Sequence, residues 1–127
     1  AQALEIAQVV GSGIQPLQNL ETISAIKAAT DAETGAELAG GAWGASRMRR
    51  GLAALERLVA ASAGRFAVGN EVSIADLFIV PQLYSARRFD VDLSGFPTLL
   101  RVEAACEALP CFQAARPEAQ PDAEAGP

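Results

Sequence analysis

The sequence contains no histidine. That absence removes Ser-His-Asp and Cys-His catalysis, and most zinc sites, from the chain itself. Cysteine is nearly absent too, with only Cys106 and Cys111. Their spacing alone matches no metal motif, and two cysteines make no disulfide scaffold. They read as half-buried thiols of a reducing, cytoplasmic setting. No apolar run reaches the roughly 18 residues of a membrane span, so no membrane partner is expected. No charged segment precedes an apolar stretch at the start, so no signal peptide is expected. Positive charge is scarce: Lys and Arg total 10 against 15 Asp and Glu, a net charge of −5 and a pI near 4.6. Such a chain lacks the basic face that a nucleic-acid backbone requires.

Alanine is abundant, with 27 of the 127 residues. The length suits one domain, and the larger apolar side chains suffice for one modest core. Much alanine with few aromatic and β-branched residues favours helices.

Apolar spacing divides the chain into four main helices and a short fifth. The first covers about residues 2 to 29, with Leu4, Ala7, Val10, Ile14 and Leu17 as a helical stripe. Gly11, Gly13 and Pro16 predict a kink or break within it. A turn is expected over Asp31 to Gly35. The second helix runs from about Ala36 to Ser62 on the stripe Met48, Leu52, Leu55 and Val59, with glycines at 40, 41 and 44 weakening its start. Gly69-Asn70 signals a turn. Ser73 and Asp76 then have the spacing of a capping box, with Val72 and Leu77 as the flanking staple. The third helix extends from there to Arg88 and bends at Pro81. Phe96-Pro97 opens the fourth, whose inward stripe is Leu99, Val102, Cys106 and Leu109. Pro110 ends it, and a short helix follows over Cys111 to Ala115. Residues 1–115 read as one helical domain, and 116–127 as a mobile tail rich in proline and acid.

Three segments carry a family resemblance. The first is Gly13-Ile14-Gln15-Pro16-Leu17-Gln18-Asn19-Leu20. The second is Gly69-Asn70-Glu71-Val72-Ser73-Ile74-Ala75-Asp76-Leu77 with Val80-Pro81-Gln82. The third is Arg88-Phe89-Asp90-Val91-Asp92-Leu93, then Phe96-Pro97-Thr98 and Pro117 to Asp122. Together they resemble the C-terminal helical domain of glutathione transferases, and most specifically the zeta class, the maleylacetoacetate isomerases. The resemblance implies an all-α bundle, glutathione as cofactor, a homodimer, a small dicarboxylate substrate and a place in tyrosine catabolism. It also implies a preceding thioredoxin-like domain with a Ser-Ser-Cys motif, and nothing in this sequence resembles that domain. The chain is therefore expected to be an excerpt of a longer protein or to lack the family's chemistry on its own. No catalytic residue is expected within it.

Several residues carry two readings. Gln15 and Asn19 lie four apart, a spacing that puts two amides on one helical face. They can bind a peptide-like ligand, cap a broken helix at Pro16, or face water. The resemblance implies that Gln15, Asn19, Leu20 and Glu21 line the glutathione site. Arg87 and Arg88 are cations suited to a helix C-terminus; arginine also grips carboxylates bidentately. The resemblance selects Arg88 for substrate binding. Ser73 and Asp76 read as structural. Arg47, Arg49, Arg50 and Arg57 read as a solvated face paired with nearby glutamates, partly at a subunit interface. For Trp43 and Tyr84 core and pocket lining both stay open, with Trp43 the better suited to the core.

For function, the resemblance implies the substrate side of a glutathione-dependent cis–trans isomerase. In that chemistry a thiolate adds to a conjugated double bond, the resulting single bond rotates, and the thiol is eliminated. Two other functions remain open: a zeta-type transferase for other electrophiles such as α-haloacids, and a non-catalytic assembly module of the same fold.

Overall fold

The computed structural model describes residues 1–29 and 42–123. Among them the regular elements are helices alone: α1 (Gln2–Gln8), a π-helical turn (Val9–Ile14), α2 (Gln15–Gln18), α3 (Leu20–Ala29), α4 (Ala42–Ser62), α5 (Ile74–Arg88), α6 (Pro97–Glu107), α7 (Pro110–Ala114) and a 3₁₀ turn (Pro117–Ala119). The expected turn at Asp31 to Gly35 and the expected helix start at Ala36 lie outside the described residues.

The single helix expected over 2–29 is four pieces. Pro16 has no N–H for the Ser12 carbonyl, so the ordinary ladder cannot pass, and the backbone loosens into the π turn. The inner stripe is also corrected. Ile6, Ala7, Val10 and Ile14 are buried, whereas Leu4 is 56% exposed and Leu17 also faces outward. The buried face is centred roughly 100° round the helix from Leu4, and Leu17 lies beyond the π turn, where the phase has slipped. Ile14 seats against α4 where Gly51 has no side chain: a Cβ there would lie 2.7 Å from Ile14 Cδ1.

One core joins these pieces. Ile6, Val10 and Ile14 meet Met48, Leu52, Leu55 and Val59 of α4, Ile79 and Leu83 of α5, and Leu99, Val102 and Cys106 of α6. α5 is the helix that carries the candidate site, and both of its ends are fixed. At its start, Asp76 and Ser73 close a capping box. The Ser73 N–H donates to Asp76 Oδ2 at 2.8 Å and the Ser73 hydroxyl to the same oxygen at 3.0 Å. The buried Oδ1 accepts the Ala67 N–H at 2.9 Å. At its end, the Val91 N–H donates to the Ala86 carbonyl and the Asp90 N–H to that of Arg87. Asp90 has φ +54°, so these bonds form a Schellman turn with a left-handed residue just past the helix. α6 opens with Phe96 as N-cap and Pro97 at its first position. Its free Thr98 and Leu99 N–H groups donate to the Glu56 carboxylate at 2.9 and 3.0 Å.

Three further expectations change. The two thiols are not alike: Cys106 is buried and Cys111 exposed. Burial, and then the neighbouring Asp76 carboxylate, push the Cys106 thiol up to about 12. Arg49, Arg50 and Arg57 are exposed, but among the described residues no glutamate pairs with the arginines of α4. Trp43 is half-buried rather than in the core, with the Arg47 guanidinium 5.6 Å from its ring centroid. Within the segment read as a tail, residues 116–123 turn back onto the helices. Arg116 pairs with Glu107 at 3.3 Å, and the Tyr84 hydroxyl donates to Glu118 Oε1 at 3.0 Å.

Candidate functional site

The exposed stripe of α5 is Leu77, Pro81, Tyr84 and Arg88, at helical spacings of four, three and four. Beside it lies a cavity of about 650 Å³. It is lined by Leu77, Val80, Pro81, Tyr84 and Arg87 of α5, Glu103 and Glu107 of α6, Phe112 of α7 and the Arg116 to Glu118 turn. The lining surface is largely apolar with several charged groups among it, a make-up that suits a small-molecule pocket.

The two neighbouring arginines separate here. Arg87 turns towards α6 and grips Glu103 with both nitrogens, Nη1 to Oε1 at 2.7 Å and Nη2 to Oε2 at 2.6 Å. Glu103 is 7% exposed and Arg87 49%. The carboxylate raises the Arg87 pKa further, chiefly through these hydrogen bonds. Arg87 is thus committed to holding α5 on α6. Arg88, one residue and about 100° further round, is exposed and has no hydrogen bond or ion pair to any described residue. It sits one turn from Tyr84, whose pKa is raised mainly by its hydrogen bond to Glu118 and opposed by the Arg88 charge. An unpaired, exposed guanidinium can take a carboxylate from a ligand.

The second group of candidate residues lies around the break between α2 and α3. Gln15 heads α2 and is half-buried. The expected shared helical face does not form, because α2 ends at Gln18 and Asn19 is extended, with ψ 136°. Asn19 instead caps α3: its Oδ1 accepts the Glu21 N–H at 2.9 Å. Leu20 is 76% exposed and Glu21 is exposed. The amides and the open first turn of α3 form a polar, peptide-like donor set. Gln18 was not singled out in the sequence. It accepts a 2.8 Å hydrogen bond from Nε2 of the buried Gln82 on α5. No local pattern announces that pair, since 64 residues separate its members.

The sequence profile of the glutathione S-transferase C-terminal domain matches residues 24–117. The chain belongs to this family. It is 45% identical over 121 residues to a zeta-class glutathione S-transferase of Euphorbia esula, covering 93% of this chain and 51% of that protein. Two solved bacterial structures agree in fold. The maleylacetoacetate isomerase of Anaeromyxobacter dehalogenans 2CP-1, with dicarboxyethyl glutathione and citrate bound in its active site, aligns with TM-score 0.87 and 44% identity over 98% of this chain and 55% of that one. The maleylpyruvate isomerase of Pseudomonas aeruginosa PAO1 aligns with TM-score 0.83 and 39% identity over 97% of this chain and 63% of that one. The chain spans about half the length of the curated relatives it matches. Its fold is the all-α glutathione S-transferase C-terminal domain. No helix among the described residues is long and apolar enough to cross a membrane.

Proposed function

We propose that this domain is the acid-gripping half of a glutathione-dependent cis–trans isomerase acting on a maleyl-type dicarboxylate such as maleylacetoacetate. The observation that carries the reading is the contrast at the end of α5. Arg87 lines the cavity but is consumed by Glu103, whereas Arg88, one turn from the cavity residue Tyr84, is exposed and has no partner among the described residues. A cis–trans isomerase has to hold the substrate carboxylates while one bond rotates, and a fixed guanidinium does that. Bound glutathione supplies the thiolate that adds reversibly to the double bond. On this reading Gln15, Asn19, Leu20 and Glu21 grip glutathione, through the Gln15 amide, the Asn19 Nδ2 and the first turn of α3. The rigid Schellman turn holds Arg88 at the acid. The bound dicarboxyethyl glutathione and citrate in the A. dehalogenans relative support a site for both partners. The reading includes a homodimer, a reducing cytoplasmic location and a thioredoxin-like half that holds the thiol.

The test is steady-state kinetics of the full-length protein with glutathione and maleylacetoacetate, run beside maleylpyruvate. Arg88→Ala is expected to raise KM for the acid by about tenfold or more, as loss of a charged hydrogen-bond pair does, and Arg88→Lys by less. Arg87→Ala should lower the melting temperature and leave that KM near the parent value. A parent protein inert with glutathione, or an Arg88→Ala variant that matches the parent, overturns the reading. An inert parent favours the assembly-module alternative.

A further inference from the structure

Gln82 is fully buried in the middle of α5. Its Nε2 donates to Gln18 Oε1 at 2.8 Å, and its Oε1 is buried without a partner. Its neighbours on this face of α5 are mostly apolar, with Ser85 the exception. Phe78 packs against Gly11, and Phe89, the residue that caps the helix end, against Gly44. An apolar residue at 82 would complete that face without leaving an amide oxygen orphaned, and an orphaned buried acceptor is unfavourable. The amide therefore costs stability where packing alone would not require it. What it supplies is direction, since a hydrogen bond fixes one register where apolar contact tolerates several.

The register it fixes joins two parts of the candidate site. Gln18 lies between Gln15 and Asn19, and Gln82 lies six residues before Arg88, about 9 Å along the helix axis. α2 packs mainly on the π turn and α4. Among the described residues, the Gln18–Gln82 bond is the side-chain hydrogen bond that ties α2 to α5.

We infer that the Gln18–Gln82 hydrogen bond is a positioning device, which sets the α2 segment that grips glutathione at its working distance from Arg88 and the acid. The inference rests on the function proposed above. Each ligand has its own contacts, so the bond does not hold either one. It fixes where the thiol stands relative to the double bond, and a displacement of about 1 Å between reacting groups can cost on the order of a hundredfold in rate.

The experiment uses the full-length protein, maleylacetoacetate and glutathione. Gln82→Met keeps the volume and removes the bond. It is expected to lower kcat about tenfold or more, while the glutathione Kd from calorimetry and the KM for the acid change less than about twofold. Gln18→Met/Gln82→Met makes both partners apolar. It should recover thermal stability, as joint apolar replacement commonly does, without recovering kcat. That split separates positioning from packing. A Gln82→Met enzyme with parental kcat well below its melting temperature overturns the inference. So does a double variant whose kcat returns with its stability. A parent without turnover overturns the functional reading and this inference together, whereas an active parent matched by Gln82→Met overturns the inference alone.

Discussion

Asp76→Ala should cost this domain more than the loss of a helix cap. The carboxylate is fully buried and accepts from the Ser73 N–H, the Ser73 hydroxyl and the Ala67 N–H. The Cys106 thiol also lies 3.7 Å from Oδ1. Ser73 is partly exposed, so water can replace the lost oxygen there, and the cap itself is worth about 1 kcal/mol. Ala67 is buried, and leaving its N–H without the Asp76 oxygen adds roughly 1–3 kcal/mol. Removing a buried charge returns part of that, because the carboxylate no longer needs desolvating. The net expectation is about 2 kcal/mol, or roughly 7 °C in melting temperature for a domain of this size. Thermal unfolding followed by circular dichroism measures it, with Ser73→Ala as the comparison. That variant loses one hydroxyl contact, keeps the N–H bond to Asp76, and should cost no more than about 1 kcal/mol. The reasoning is refuted if Asp76→Ala melts within about 2 °C of the parent, or if Ser73→Ala is equally damaging.

Three other measurements follow from the geometry. Gly51→Ala presses a Cβ into Ile14 and should destabilise by about 1–2 kcal/mol, whereas Gly13→Ala has nothing within 4 Å and should stabilise by up to about 1 kcal/mol. Equal signs in the two melting curves would disprove the close approach. Mild alkylation of the native chain should label Cys111 and spare Cys106, which is buried and whose thiol is pushed up to about 12; mass spectrometry of the peptides decides. Tyr84 is the sole tyrosine, so ultraviolet absorbance reads its titration directly. Its midpoint should lie above the ordinary 10.0 and fall in Glu118→Gln. Its stabilising contact is therefore complete below pH 10.0 and is lost as pH rises through the raised value. Glu118 is lowered from 4.5 by its own backbone N–H and then by the Tyr84 hydroxyl, so its share is lost as pH falls through the lowered value. An unshifted tyrosine midpoint would mean the Tyr84–Glu118 clasp does not hold in solution.

What the sequence made legible is what acts within about one helical turn. The Ser73–Asp76 spacing, the Phe96-Pro97 start and the Met48 to Val59 stripe each express a local rule, and each element forms where its rule places it. The shared-face argument for Gln15 and Asn19 used the same kind of rule and failed on a local cause, because Pro16 and the π turn leave α2 only four residues long. Distant partners carry no such signature. Glu56 meets the first turn of α6 across 42 residues and Gln18 meets Gln82 across 64. Which side chain arrives there depends on how whole helices pack, and periodicity does not encode that. The two arginines make the point most sharply. Arg87 and Arg88 are chemically identical neighbours at the same helix end, and charge, capping and dipole arguments treat them alike. About 100° of helix rotation decides between them. It carries Arg87 to α6, where it meets the buried Glu103 at the cavity, and leaves Arg88 exposed and unpaired among the described residues. On the proposed function, the buried glutamate thus does more than brace α6, because it occupies one of two neighbouring guanidiniums and leaves the other for a ligand acid.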